Sequence, residues 1–174
     1  MITFFRGKAA TGKSTMANYI ADQHDIAVLD KDSVFDKLLN EGVDWDTATK
    51  TTYDRLVQDI QWHHDNNIPA IVDIGLSHTP FFEGFLMKMS LSPDKVRLFL
   101  FTCSNDSVWE SRILARIENP EGPNQCIWST VSAHEHYAKY DIYPLEGENI
   151  IDSVVAKEEI YLTVMRTLHD GRHI

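Results

Sequence analysis

The sequence predicts an α/β chain, a five-stranded parallel sheet covered by helices on both faces in a three-layer α/β/α arrangement with a small lid. Three observations carry that expectation. Short apolar runs alternate with longer stretches of helical period, which calls for parallel strands joined by crossover helices. The pattern Gly7-Lys8-Ala9-Ala10-Thr11-Gly12-Lys13-Ser14 stands between the first run and the first helix. A length of 174 residues, 43 % hydrophobic and 24 % charged, suffices for one domain with a proper core and not comfortably for two. The expected organisation is a single domain over 1–174 with a lid region at about 112–128.

Each element has its own signal. Ile2-Thr3-Phe4-Phe5 is the first strand, and Ser14 to Gln23 the first helix. Ile26-Ala27-Val28-Leu29 reads as the second strand, running into Asp30-Lys31-Asp32 and a helix from Ser33 to about Asn40, with Gly42 as its stop. From Trp45 to Asn67 the apolar residues recur at helical spacing, with Tyr53, Leu56, Val57 and Ile60 on one face. Asn66-Asn67-Ile68-Pro69 ends that helix, and Ala70-Ile71-Val72-Asp73 is apolar enough for a strand buried on both sides. Thr79-Pro80 precedes a helix over Phe81–Met89; Ser92-Pro93 then breaks the chain before a fourth strand, Val96–Phe101. A helix, a loop and a helix follow, interrupted at Asn119-Pro120-Glu121-Gly122-Pro123. Asn149–Asp152 is the fifth strand and Lys157–Leu168 a closing amphipathic helix.

The glycine-rich pattern is built for a polyphosphate. Successive backbone N–H groups must turn inward, and Gly7 and Gly12 permit the angles and close approach that a side chain obstructs. The helix that begins near Lys13 adds its positive end. Lys13 brings a mobile cation to the β- and γ-phosphates, and the Ser14 hydroxyl suits Mg²⁺. Residues Gly7, Lys8, Ala9, Ala10, Thr11, Gly12, Lys13, Ser14 and Thr15 are therefore the expected nucleotide-binding set, with ATP and Mg²⁺ as cofactors.

Ligands of parallel sheets gather at the carboxyl ends of the strands, where Asp30 with Asp32, Asp73, and Asp152 stand. Asp32 lies on the edge that carries the glycine loop, placed to accept a proton from an attacking hydroxyl; the competing reading is that Asp30 or Asp32 caps the following helix. Asp73 is placed to hold Mg²⁺ directly or through water, with a turn or cap as the alternative. Arg112 and Arg116 are four apart on a helix and share a face, pointing at a phosphate or a base, or else lying on a solvated face with Glu110. The Pro-, Gly- and Asn-rich segment Glu118–Gln125 behind them has the composition of a lid.

Other residues carry less. His63-His64 and His134-Glu135-His136 do not complete a zinc pattern, because adjacent helix residues point in different directions. His169 and His173 are expected at the surface. Cys103 ends an apolar run and is expected to be buried, and with Cys126 it forms no metal or disulfide spacing. Trp45, Trp62, Trp109 and Trp128 are expected in the core, with one or two available to line a substrate pocket. Lys and Arg number 16 against 26 Asp and Glu, a formal charge of −10, which disfavours nucleic acid and anionic lipid as partners. No run is long enough to span a bilayer, and a cytoplasmic location is expected.

These residues, taken in order, resemble small P-loop kinases of the nucleoside-monophosphate-kinase-like fold, notably the AAA-type ATP-binding kinases related to chloramphenicol phosphotransferase, zeta toxins and the kinase domain of phage polynucleotide kinase. Gly7–Ser14 matches the phosphate loop, Lys31-Asp32 the basic residue and catalytic Asp, Ile71-Val72-Asp73 the third-strand acid, Arg112-Ile113-Leu114-Ala115-Arg116 the paired lid arginines, and Ile150-Ile151-Asp152-Ser153 the usual ending. The resemblance implies a phosphotransferase using ATP and Mg²⁺ on the hydroxyl of a small molecule. Lys13, Asp32, Arg112 and Arg116 would be its catalytic residues, and Ser14 and Asp73 its metal residues. Ser33-Val34-Phe35-Asp36-Lys37 lacks the arginine with which many relatives bind substrate, so the acceptor is not specified. Two other readings share the motif: an ATP-hydrolysing regulatory module acting through a protein partner, with the Trp45–Asn67 helix as its surface, and a 5′-hydroxyl kinase of nucleic acid ends, which the acidic charge disfavours.

Overall fold

The computed structural model describes residues 1–120, 122 and 127–170, the side chain of Asp170 excepted. Five parallel strands form one sheet: β1 (Ile2–Gly7), β2 (Ala27–Asp30), β3 (Ala70–Asp73), β4 (Val96–Thr102) and β5 (Asn149–Asp152), in the spatial order β2-β3-β1-β4-β5. Among the described residues, seven α-helices connect or flank them: α1 (Lys13–His24), α2 (Lys31–Asn40), α3 (Trp45–Asp65), α4 (Thr79–Leu86), α5 (Asp106–Glu118), α6 (Thr130–Tyr137) and α7 (Lys157–Asp170). The α/β class and the five-stranded parallel sheet are those expected. The lid region expected at 112–128 includes Glu121 and Pro123–Cys126, which lie outside the described residues, as does His173; residues 112–118 belong to α5.

Alternation along β1 builds the layers. All six of its residues are buried, and successive side chains point to opposite faces. Phe5 faces α1 and α7 in a cluster with Met16, Ile20, Phe99, Phe101 and Val164, while Phe4 faces α3 and α4 among Leu56, Ile60, Val72 and Phe82. Within the sheet the ring of Phe5 meets Phe99 of β4 edge-on at 5.5 Å, and toward the outer layer that of Phe4 meets Phe82 of α4 at 5.8 Å.

The register sets the site. Pairing places Phe5 opposite both Asp73 and Phe99, Gly7 opposite Phe101, and Asp30 opposite Asp73, so the carboxyl ends of β1, β2 and β3 finish side by side. From β1 the chain moves to β2 and β3 on one side, then returns to β4 and β5 on the other. The crevice where the order reverses therefore opens beside β1.

Element ends differ from the expected ones for local reasons. β1 continues through Arg6 and Gly7 because the Arg6 guanidinium finds partners inside the protein: Glu148 at 2.7 and 2.6 Å, the carbonyls of Ser77 and Tyr143, and the Thr79 hydroxyl. α2 begins at Lys31, two residues early, because Asp30 takes the cap position. α4 begins at Thr79 and stops at Leu86, with Pro80 in its first turn, where no N–H is missed. The tryptophan expectation fails for three of four: Trp109 is 3 % exposed, but Trp45, Trp62 and Trp128 are 46, 55 and 68 % exposed. Cys103 is half-buried rather than buried. Among the described residues no helix is long and apolar enough to cross a membrane.

Candidate active site

The glycine loop leaves β1 at Gly7 with φ of +139°, and a Cβ placed there would stand 2.2 Å from the carbonyl oxygen of Phe101 on the neighbouring strand. Gly7 is thus required by its backbone angle and by the strand beside it. Ala10 and Gly12 also lie at positive φ, 60° and 84°, and Gly12 turns the chain into α1. The first turn of α1 contains no acid, so the positive end of its dipole is not neutralised by its own side chains. Inside the loop the carbonyl of Lys8 accepts from the Thr11 hydroxyl at 2.9 Å and from Lys13 Nζ at 2.8 Å.

Two residues from outside the motif hold the same loop. Trp109 of α5 donates its indole N–H to the carbonyl of Ala9 at 2.9 Å, and the N–H of Ala9 donates to the Tyr137 hydroxyl of α6 at 2.7 Å. The Lys8 ammonium lies 5.1 Å from the Trp109 ring and 5.6 Å from the Tyr137 ring. The sequence reading missed this clamp, because its members are far apart in the chain and share no motif. The one available signal was Trp109 at helical spacing with Ile113, a sign of an inward face.

The acids divide the work. Asp30 caps α2: its carboxylate accepts from the backbone N–H of Asp32 at 2.9 Å and of Ser33 at 3.3 Å, and from the Ser33 hydroxyl. Asp32 is left with a side chain 44 % exposed that accepts from Lys31 Nζ at 2.6 Å. Asp73 is 4 % exposed, and burial pushes its carboxyl above the usual carboxylate range against the opposing effects of Lys13 and of a hydrogen bond with Ser14; Asp30 and Asp32 add to the rise. A buried carboxylate beside a hydroxyl is a donor set that fits a hard cation such as Mg²⁺. Asp152 is occupied structurally, its carboxylate accepting from the N–H and hydroxyl of Ser104.

Of the cavities that flank the loop, two meet at Lys13. The larger, about 540 Å³, runs past Gly12–Met16 between α5 and the segment after β5, touching Arg112, Arg116, Ser153, Val155 and Lys157. The smaller, about 210 Å³, is walled by Lys31, Asp32, Asp73, Arg116 and Tyr137. They share Lys13, Ser14 and Arg116.

The arginine pair is therefore split. Arg112 donates to the hydroxyl and carbonyl of Ser153 at 2.8 and 2.7 Å and lines the larger cavity, whereas Arg116 lines both. Glu110, the alternative partner, pairs instead with His134 at 2.8 Å. His64 is held between Asp65 and the N–H of Ser92. His136, which the sequence reading set aside, lines the smaller cavity, and burial with nearby Lys139 lowers its pKa.

No family model matches this chain, and no curated protein matches it. Solved structures do. A protein from Chloroflexus aurantiacus provisionally named a kinase is 17 % identical, with 95 % of this chain and 96 % of that one covered and a TM-score of 0.71. A gluconokinase from Sinorhizobium meliloti is 11 % identical over 98 % and 97 %, with a TM-score of 0.64. The shikimate kinase of Aquifex aeolicus is 15 % identical over 99 % and 98 %, with a TM-score of 0.55. Identities this low do not distinguish the branch containing chloramphenicol phosphotransferase and zeta toxins. What they establish is architecture: over 95 to 99 % of its length the chain shares the fold of these proteins.

Proposed function

We propose that the protein is a phosphotransferase that moves the γ-phosphate of ATP to a hydroxyl of a small molecule. The observation that carries this reading is the meeting of two cavities at Lys13, Ser14 and Arg116, one large enough for a nucleotide along the glycine loop and one smaller with Asp32 in its wall. Kinases of the same fold with small-molecule names lend it support.

In this reading the backbone of Lys8–Thr15 and the start of α1 cradle the phosphates. Lys13, which rests on the Lys8 carbonyl, swings to the β- and γ-oxygens. Ser14 and Asp73 would hold Mg²⁺, which when bound supplies charge neutralisation to the phosphates. Asp32 accepts the proton of the acceptor hydroxyl as its oxygen bonds to the γ-phosphorus, and the bond to the β,γ-bridging oxygen breaks with its electron pair leaving on ADP. Arg116 faces the charge that develops between the two cavities. Arg112, fixed on Ser153, serves as a wall against the nucleotide, a narrower role than the shared one expected from its spacing.

The test compares two variants on an acceptor screen read by ATP consumption. Lys13→Ala is expected to abolish turnover and greatly weaken ATP binding. Asp32→Asn is expected to cut transfer at least about 100-fold with ATP affinity preserved, as befits general base catalysis. Full activity in Lys13→Ala sinks the assignment, and parallel loss of ATP affinity and transfer in Asp32→Asn removes the base.

A further inference from the structure

The smaller cavity says more about the acceptor than its size. In the phosphotransferase reading, on which this inference rests, most of its polar side chains already have tasks: Lys13, Ser14 and Asp73 at the donor, Arg116 between the cavities, and Lys31 held by Asp32 at 2.6 Å. The Tyr137 hydroxyl accepts from the N–H of Ala9, so that residue offers the cavity its ring and the one O–H it has left to donate.

The rest of the described lining is largely apolar. Ile113 and Ile117 come from α5, one turn apart on the same face, and Ile127 from the segment before α6. Among the described residues, the His136 ring and the Tyr137 O–H are the polar groups of this cavity without a task in the donor or base machinery.

We propose that the acceptor is a compact alcohol with an apolar body, a reacting hydroxyl and at most one or two further polar groups on a frame of about one six-membered ring, in place of a sugar or polyhydroxy acid. The reacting hydroxyl meets Asp32, the frame lies against Ile113, Ile117 and the Tyr137 ring, and one further polar group meets His136. A hexose would bring several hydroxyls into a space of about 210 Å³ whose isoleucines offer them no partner. Each hydroxyl so buried weakens transition-state binding by about ten-fold.

The experiment uses the full chain with ATP and Mg²⁺, and follows labelled γ-phosphate into cyclohexylmethanol, benzyl alcohol and 1-phenyl-1,2-ethanediol in one set, and glucose, xylose and gluconate in another. The expected result is a kcat/KM for the best ring alcohol at least about 100-fold above that for the best polyol. Ile117→Asn is expected to raise the KM for that alcohol at least about ten-fold, with a smaller change in the KM for ATP. Equal or better transfer to glucose, xylose or gluconate overturns the proposal, as does the absence of labelled product from all three ring alcohols. An unchanged acceptor KM in Ile117→Asn also overturns it. Failure here is distinguishable from failure of the phosphotransferase reading. A native chain that binds ATP and phosphorylates a polyol loses only the acceptor class, whereas one that shows no Lys13-dependent ATP binding by titration calorimetry loses both.

Discussion

Replacing Glu148 by Gln should be among the most damaging single changes available outside the candidate active site. The side chains of Arg6 and Glu148 are both fully buried, their ions 2.6 Å apart, and the carboxylate also accepts from the N–H of Leu145 at 2.9 Å. Gln keeps the shape and removes the charge, turning an NH₂ toward a guanidinium that has only donors to offer. The remaining partners of Arg6, the carbonyls of Ser77 and Tyr143 and the hydroxyl of Thr79, are neutral and do not compensate a buried cation. Breaking one side of such a pair costs about 3 to 5 kcal/mol. In a domain of this size each kcal/mol moves the melting temperature by about 2 to 4 °C, so a fall of about 6 to 20 °C is expected. Urea unfolding followed by far-UV circular dichroism measures it as a lower midpoint at unchanged slope. The partner control is Arg6→Met with Glu148→Leu, expected to lose well under the sum of the single losses, because apolar replacement of a buried ion pair is near neutral. A Glu148→Gln loss below about 1 kcal/mol, or strict additivity in the double variant, refutes the reasoning.

Two further outcomes follow from the site. Gly7→Ala places a Cβ 2.2 Å from a backbone oxygen at a φ of +139°, so either the loop or β4 must shift; the expected loss is about 3 kcal/mol or more in urea unfolding, together with ATP binding weakened at least about ten-fold by titration calorimetry, and a soluble variant with native affinity contradicts it. Asp73→Asn is expected to raise the thermal midpoint of the metal-free protein at pH 7 while removing Mg²⁺-dependent activity. Burial raises the folded pKa of Asp73, so its contribution is favourable while the group is protonated, at and below the ordinary carboxylate range, and is lost as pH rises through the raised value. The advantage of Asn must therefore shrink as pH is lowered toward about 4, and an advantage independent of pH rules out the carboxylate as its cause.

How much of this was legible depended on whether the relevant force acts along the chain or across it. The turn at Gly7–Ser14 was readable because it is local: one stretch of backbone between β1 and α1 dictates its glycines, both at positive φ. The strand cores were readable for the same reason, since Ala70–Asp73 announces burial by composition alone. The choice between Asp30 and Asp32 was open in sequence, because either suits a cap. The end of β2 settled it, placing Asp30 one residue before α2 so that its carboxylate reaches the N–H groups of Asp32 and Ser33. Arg6 falls just past the expected first strand, Ile2–Phe5, although it is one of the largest fully buried side chains. Its partner Glu148 is 142 residues away, and nothing local marks a buried cation as paired. Trp45 and Trp62 were misread because helical period fixes a face, not which face is covered, and Trp128 because it lies before α6 and on no helix.

The clamp on Ala9 changes what kind of object the glycine loop is. The ring of contacts around it begins with Gly7, which sits against the Phe101 carbonyl in the paired register of β1 and β4. The Lys8 carbonyl holds Thr11 and Lys13, and Ala9 is gripped on its N–H by Tyr137 and on its carbonyl by Trp109. A loop so held has little left to order when phosphates arrive, which is the physical meaning of preorganisation. Two of its holders also belong to the walls: Tyr137 lines the smaller cavity, and Trp109 lies one turn before Ile113 on the helix that carries Arg112 and Arg116. A displacement of α5 or α6 that reshapes the acceptor side must therefore pull on the Ala9 peptide. In the proposed phosphotransferase, the fit of the acceptor and the geometry of the phosphate cradle are thus one mechanical variable. Substrate selectivity in this chain is then expected to be expressed in kcat as much as in KM, because an acceptor that displaces Tyr137 also loosens the groups that hold the phosphate it is meant to receive.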